Sequence, residues 1–473
     1  MIGKIKKKLY FPLASYFRFF AGIRLKRWNP KIVVVTGSNG KTTLLHMIES
    51  QIGEKARYSH HANSSFGIPF DILDLHRKSL LKSEWINLFL KAPLQIFKSL
   101  PKEKLYIVEA DCDRPGEGKF LASFLKPVIV LWISTAKTHS MNFEHLVVQT
   151  RHPRANGDSG DVDSRFRGND NNGKFPTVEE AIAYEFGYFL QYAKELVLID
   201  GESELMVKQM DRTKVRIVEI KKEKSLKSYD VSKKGTRFQI VRDTRGTHDT
   251  LDTFIFKFLL PEEIFYSIEM TRKLCEALSI SFDQSFARFV VPPGRGSIFQ
   301  GIKNITIVDS SYNSNFSSVR AIVSMFARFK EKNKWVVIGD MLELGKEEEN
   351  EHLRLAAELA KYDFKKIILM GPRVGKYTYP KLLSLRALAK QSPKDRHAFQ
   401  TRDDKDEGIV KFEGPKETLD YLLENIKGGD TILFKGARFM EGIIEHLLEN
   451  KNDVSKLARR EEVWQIRRKQ WGL

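Results

Sequence analysis

The chain has 473 residues, enough for two to four domains. Its 42% hydrophobic and 29% charged composition is that of a globular protein with sizeable cores, and 79 − 60 charges leave a net +19. That excess favours phosphate-rich partners, while two isolated cysteines, Cys112 and Cys275, exclude a disulfide framework and a zinc ribbon. No apolar run approaches the ~20 residues of a bilayer span, and no secretory signal is visible. A cytoplasmic protein is expected.

Residues 1–30 form a basic, aromatic leader. Through Lys31 there are nine Lys/Arg and no Asp or Glu, interleaved with Tyr10, Phe11, Tyr16, Phe17, Phe19, Phe20 and Trp28. Two readings stand: a helix lying on the anionic inner face of a membrane, or a segment whose aromatics dock on the next domain. A second basic, aromatic stretch from His76 to Lys104, with Trp85, Phe89 and Phe97, is open to the same two. Nucleic acid is not expected as a partner, because the charge is concentrated in the leader without a recognition motif.

From Lys31 the pattern becomes strand, loop, helix. Ile32 to Val35 is a β-branched run that reads as a buried parallel strand. Leu105–Val108, Val128–Ile133, Leu196–Ile199, Ile305–Val308, Trp335–Ile338, Lys366–Met370 and Thr431–Phe434 repeat it, with helical stretches between many of them. The predicted fold is α/β, with two doubly wound sheets hinged at Pro292-Pro293-Gly294. The expected division is a central domain at 31–292, a C-terminal domain at 293–449 and a basic helical tail at 450–473. Two polar stretches, 151–173 and 384–408, read as exposed insertions too polar to offset their ordering entropy.

The strongest local signal is Thr36-Gly37-Ser38-Asn39-Gly40-Lys41-Thr42-Thr43, directly after the first strand and before a helix. Glycines let backbone N–H groups approach phosphate, and the helix N-terminus adds a favourable dipole. Lys41 supplies a charge for the β/γ-phosphates and Thr42 a hydroxyl for Mg²⁺. The spacing is not the common phosphate-loop one, since Val35 stands at the outer glycine position. Glu109, at the end of the next strand and before Asp111-Cys112-Asp113-Arg114-Pro115-Gly116, is placed to hold Mg²⁺. His139, after a third strand, is a further candidate ligand.

Together these segments resemble the central ATPase domain of the Mur ligases, and Asn63-Ser64-Ser65-Phe66-Gly67-Ile68-Pro69 resembles that family's following loop. In the second half, Pro293-Gly294-Arg295-Gly296, Asp309 to Asn315, Gly339 to Gly345, His352 and Lys435 to Arg438 are similar, in order, to the cell-wall branch of that family. The resemblance implies a phosphate-binding ATPase domain followed by a Rossmann-like C-terminal domain. It implies ATP-dependent amide-bond formation through an acyl phosphate, in peptidoglycan precursor synthesis, with ATP and Mg²⁺ as cofactors. A muropeptide-like acyl donor and an amine acceptor are the implied partners. Arg295 then assists phosphoryl transfer, Asp309 and Asn313 touch the nucleotide, and Asn63, Asp340, Glu343, Lys435 and Arg438 belong to substrate binding.

The chain departs from that pattern in four places. About 30 residues precede the first strand, too few for the family's UDP-binding domain. Asp309-Ser310 stands where two acids are usual, Phe186 where many relatives carry a carbamylated lysine, and no His-Asn pair occurs at 262–268. These keep two competing readings open: an ATP-binding scaffold of reduced activity, and an amide ligase acting on a lipid-linked or polymeric acceptor.

Overall fold

A computed structural model of the chain describes residues 2–60, 62–76, 82–148, 173–242, 250–391, 408–436 and 439–473. They fall into two compact units, 1–38 with 61–218, and 39–60 with 219–473. In chain order the strands are β1 (Lys31–Thr36), β2 (Arg57–Tyr58), β3 (Leu105–Ala110), β4 (Ile129–Trp132), β5 (Leu196–Asp200), β6 (Arg216–Ile220), β7 (Leu226–Ser232) and β8 (Gly235–Arg242). They continue as β9 (Thr250–Phe256), β10 (Ser297–Gly301), β11 (Ile305–Asp309), β12 (Lys334–Gly339), β13 (Lys366–Met370), β14 (Ile409–Phe412) and β15 (Thr431–Lys435).

In the first unit four strands lie in the order β3-β1-β4-β5, all parallel. Val33, Val34 and Val35 are fully buried, because a parallel strand is covered on both faces. The leader is one helix, Ile2–Trp28, and it belongs to this core. Ala14, Phe17, Ala21, Leu25 and Trp28, spaced by three and four residues, pack with Ile68, Phe70, Leu73 and Tyr106. The Phe17 ring lies 4.7 Å from those of both Phe70 and Phe89, and Trp28 Nε1 donates to Glu103 O at 2.6 Å.

Several leader cations serve this packing. Buried Arg24 donates to Leu73 O at 3.4 Å, Gln95 O at 2.8 Å and Ser99 O at 3.0 Å. Leu73 ends the Gly67–Leu73 helix and Gln95 follows the Lys82–Leu94 helix, so the guanidinium sits where helix dipoles favour a cation. Arg18 lies 4.5 Å over the Phe120 ring. Docking on the following domain therefore describes the leader's buried stripe, while Leu9, Leu13 and Phe19 stay exposed.

The second unit holds an antiparallel sheet, β7-β8-β9, and a six-stranded sheet in the order β10-β11-β15-β12-β13-β14. In the latter β10 is antiparallel and the rest are parallel, which is the expected Rossmann-like arrangement. The division does not fall at the Pro292–Gly294 stop: residues 219–292 go with the second unit. Arg328 explains part of this, since it donates to Tyr229 O at 3.4 Å and pairs with Glu262 at 2.8 Å.

Residues 151–172 lie outside the described residues, and their flanks are joined: Val148 N donates to Phe175 O at 2.9 Å and Lys174 N to Leu146 O at 2.7 Å. The second polar stretch begins later than expected. The Tyr379–Gln391 helix takes in its first residues, through burial of Leu382, and 392–407 lie outside the described residues. The basic tail forms a 3₁₀ turn, Lys451–Lys456, and a helix, Glu462–Lys469, anchored by Arg459 and Arg468 on the buried Glu441 at 3.4 and 3.7 Å.

Candidate functional site

Because β1 lies between β3 and β4, three loops emerge together at the carboxyl end of the first unit's sheet, the usual ligand position in such folds. Hydrogen bonds tie them. Thr36 Oγ1 donates to Ala110 O at 2.8 Å, Ser38 N to Ser134 O at 3.0 Å, and Ser38 Oγ to Ala136 O at 3.0 Å. Gly37 has φ +128°, and a Cβ there would stand 2.7 Å from Ser134 O, so only glycine permits this approach. Glu109 is buried near the end of β3. His139, at φ +53°, places Nε2 3.2 Å from an Asp113 carboxylate oxygen.

Two carboxylates that the motif reading missed organise these loops. Glu117 Oε1 accepts from Ser65 N at 2.8 Å and Ser65 Oγ at 2.7 Å, and its Oε2 accepts from Asp113 N at 3.1 Å. Glu185 Oε1 and Oε2 accept from Gly116 N at 2.8 Å and Gly118 N at 3.0 Å. Burial raises the pKa of both acids, against the pull of these donors. Asn63 joins the set through its carbonyl, which accepts from Asp111 N at 2.8 Å. The leader reaches it too: Tyr10 OH donates to Glu117 at 3.2 Å, and Arg114 lies 3.6 Å over the Tyr10 ring. Glu185 had a legible signal, since it interrupts the apolar stripe Ala181, Ile182, Phe186, Phe189 of the Val178–Gln191 helix. Phe186 itself is fully buried, its ring 5.9 Å from Trp132.

The second unit carries the rest of the phosphate-loop motif. Gly40, at φ +83°, precedes the Lys41–Ile52 helix, whose first residues are Lys41, Thr42 and Thr43. Arg295 Nη2 donates to Thr42 Oγ1 at 3.3 Å, and its guanidinium lies 4.0 Å over the Tyr312 ring. Asn39 donates to Ser317 Oγ at 2.8 Å and accepts from Asn315 Nδ2 at 2.7 Å. The motif loop and the segment after β11 therefore share one hydrogen-bonded cluster.

Asp309 is fully buried at the end of β11. One of its oxygens accepts from Ser311 N at 3.0 Å; Oδ2 has no partner among the described residues, and neither have Ser311 Oγ and Ser314 Oγ. Three unsatisfied buried oxygens in six residues are what a ligand-binding segment leaves open. Lys435, buried at the end of β15, donates to Asn313 O at 2.6 Å. Burial, with the Arg295 charge, lowers its pKa to about 7.

The remaining expected residues are placed differently. Asp340 is buried, and its Oδ1 accepts from Arg373 N at 3.0 Å and Val374 N at 2.9 Å while Oδ2 pairs with the Arg373 guanidinium at 3.3 Å. It braces a turn with both oxygens. Glu343 is exposed at φ +62°, and Arg438 lies outside the described residues. Among the described residues no group of three or more His, Cys, Asp or Glu forms a metal cage. Mg²⁺ needs none, because it keeps waters and takes one or two carboxylates with substrate phosphates.

Residues 294–438 match the family description "Mur ligase, glutamate ligase domain". The chain is 22% identical to the UDP-N-acetylmuramoyl-tripeptide–D-alanyl-D-alanine ligase of Borreliella burgdorferi over 89% of this chain and 74% of that protein. It is likewise 22% identical to the Bacillus subtilis enzyme of that name, over 90% and 78%. In fold it is similar to the MurF ligase of Thermotoga maritima in complex with ADP, with a TM-score of 0.64, 17% identity, and coverage of 94% and 84% of the two chains. A MurF structure from Acinetobacter baumannii gives the same score at 15% identity, covering 93% and 80%.

Proposed function

We propose that this chain, a homologue of the Mur ligases, is an ATP-dependent ligase that forms an amide bond in peptidoglycan precursor synthesis. The acyl donor we assign is UDP-N-acetylmuramoyl-tripeptide and the amine D-alanyl-D-alanine, the pair in the names of the curated relatives. The donor carboxylate takes the γ-phosphoryl group of ATP, and the amine then displaces phosphate through a tetrahedral intermediate. The observation that supports this reading is the hydrogen bond from Arg295 to Thr42 Oγ1, which joins an arginine of the second unit to the motif residue Thr42 in the same unit.

In this reading Gly37 to Thr43 bind the phosphates, with Lys41 and Arg295 neutralising charge that develops on the transferred group. Thr42, Glu109 and His139 would hold Mg²⁺, which supplies charge neutralisation at the phosphates when bound. They offer a hydroxyl, a carboxylate and an imidazole, and the oxygen donors suit that ion. Asp309 Oδ2 and Asn313 receive nucleotide hydroxyl or base groups, and Lys435 holds the Asn313 segment in place. Asn63, Glu343, Lys435 and Arg438 are assigned to substrate binding from the family resemblance, as is Asp340, which also braces the second-sheet loop. Residues 1–31 keep a second role at the inner membrane face, through Lys4, Lys6, Lys7 and Lys8, which precede the buried stripe.

The test is phosphate release and product formation by the full chain with ATP, UDP-N-acetylmuramoyl-tripeptide and D-alanyl-D-alanine. Product that requires all three supports the ligase. Nucleotide binding with no product from these or from lipid-linked acceptors would leave the scaffold reading in its place.

A further inference from the structure

The helix Lys82–Leu94 and the 3₁₀ turn Gln95–Phe97 are apolar on two opposite faces. Leu88 and Ala92 are buried with the half-buried Trp85 and Phe89, at helical spacing, facing the leader and the core. Tyr16 OH donates to Phe89 O at 2.8 Å, which fixes that orientation. On the other side Ile86, Leu90, Leu94 and Phe97 are 66%, 69%, 66% and 81% exposed. Their spacing of four, four and three places them on one stripe, roughly opposite the buried one. Single exposed apolar residues are ordinary, but a row of four large ones along a helix marks an interaction surface.

The charges beside the row identify its partner. Lys91 and Lys98 are exposed next to it, and the leader's Lys26 and Arg27 are exposed at the end of the neighbouring helix. Arg27 donates to Ile96 O, so that helix end lies against the turn. Among the described residues the acids beside these elements are Asp74, which sits between Lys98 at 3.9 Å and His76 at 3.4 Å, Glu84 in the helix's first turn, and Glu103, whose carbonyl accepts from Trp28 Nε1. A second copy of this face would set cations against cations. An anionic bilayer instead offers hydrocarbon to the row and phosphate to its basic flank. No described helix is long and apolar enough to cross a membrane, which leaves contact in the interfacial plane.

We propose that Ile86, Leu90, Leu94 and Phe97, flanked by Lys91, Lys98, Lys26 and Arg27, form a membrane-docking face for anionic lipid. It is a different set of residues from Lys4, Lys6, Lys7 and Lys8 and does not depend on the ligase reading. The experiment is co-sedimentation of the full chain with phosphatidylglycerol-containing vesicles and with pure phosphatidylcholine vesicles, at low and high salt. Wild type should bind the anionic vesicles and release as salt rises. The double variant Leu90→Asp, Leu94→Asp should lose at least tenfold in partitioning with an unchanged melting temperature, since neither side chain is in the core. A Lys6→Glu, Lys7→Glu variant separates the two membrane readings. If it abolishes binding while the Asp variant binds like wild type, the leader is the contact and the present proposal falls. It also falls if wild type ignores anionic vesicles, or if light scattering shows a dimer that the Asp variant breaks while vesicle binding persists.

Discussion

Lys435 and His352 are buried titratable groups whose neighbours decide their charge. Lys435 drops to about 7 from 10.5 because burial and the Arg295 charge disfavour its ammonium form. The unfolded chain therefore binds one more proton between those values, and stability should rise with pH across that window, by up to ~1.4 kcal/mol per pH unit. Lys435→Met should flatten the slope in urea unfolding measured from pH 7 to 10. His352 accepts from Met341 N at 3.3 Å through Nε2 and donates from Nδ1 to Glu348 O at 2.7 Å, so the neutral ring braces the loop after β12. Burial lowers its pKa below 6.5. The unfolded histidine then takes its proton first as pH falls, and this contribution should be lost below about pH 6.5. Unfolding of His352→Gln from pH 5 to 8 should lack that loss. At the motif loop, Lys41→Met should lower turnover by roughly 10²- to 10³-fold, the scale of one charge-stabilising donor. Phosphate release at saturating ATP measures it, with circular dichroism reporting the fold.

The leader helix shows how one element can be both polar in composition and structural in place. Phe17 is fully buried among Phe70, Phe89 and Phe66. Phe17→Ala should cost about 3–5 kcal/mol in denaturant unfolding, as large aromatic truncations in cores do. Phe19→Ala, two residues along and exposed, should cost under about 0.5 kcal/mol. Removing the whole leader would strip the first unit of Ala14, Phe17, Ala21, Leu25 and Trp28 together, so point variants are the cleaner probe of its surface role. For the first polar insertion, the bonds joining Val148 to Phe175 and Leu146 to Lys174 hold the flanks side by side. Replacing 151–172 by a short Gly/Ser linker should shift stability by about 1 kcal/mol, since loop-closure entropy varies slowly with length.

At the scale of the whole molecule, the proposed function makes stability depend on nucleotide. A ligand bound only by the native state adds about 2.7 kcal/mol at a hundredfold excess over its dissociation constant. ADP with Mg²⁺ should therefore raise the melting temperature of the wild type by several degrees. The shift should shrink strongly in Lys41→Met, and less in Asp309→Asn, which keeps an acceptor at the buried position.

The chain's periodicity and glycine placement determined the α/β class, the parallel strands and the motif loop, because they depend on local dihedral freedom and burial on two faces. Gly37 and Gly40 were legible for that reason: no other residue adopts their φ values without strain. The boundary between units was not legible, since it follows contacts such as Arg328 to Glu262, 66 residues apart. Glu117 was not legible either, because an acid's worth as an organiser depends on which backbone N–H groups tertiary packing brings to it; Glu185 showed as a break in an apolar stripe, but its partners Gly116 N and Gly118 N did not. The leader's composition allowed both a lipid and a protein partner. Tertiary structure alone assigned Phe17 and Trp28 to the core, and left the row from Ile86 to Phe97 facing outward.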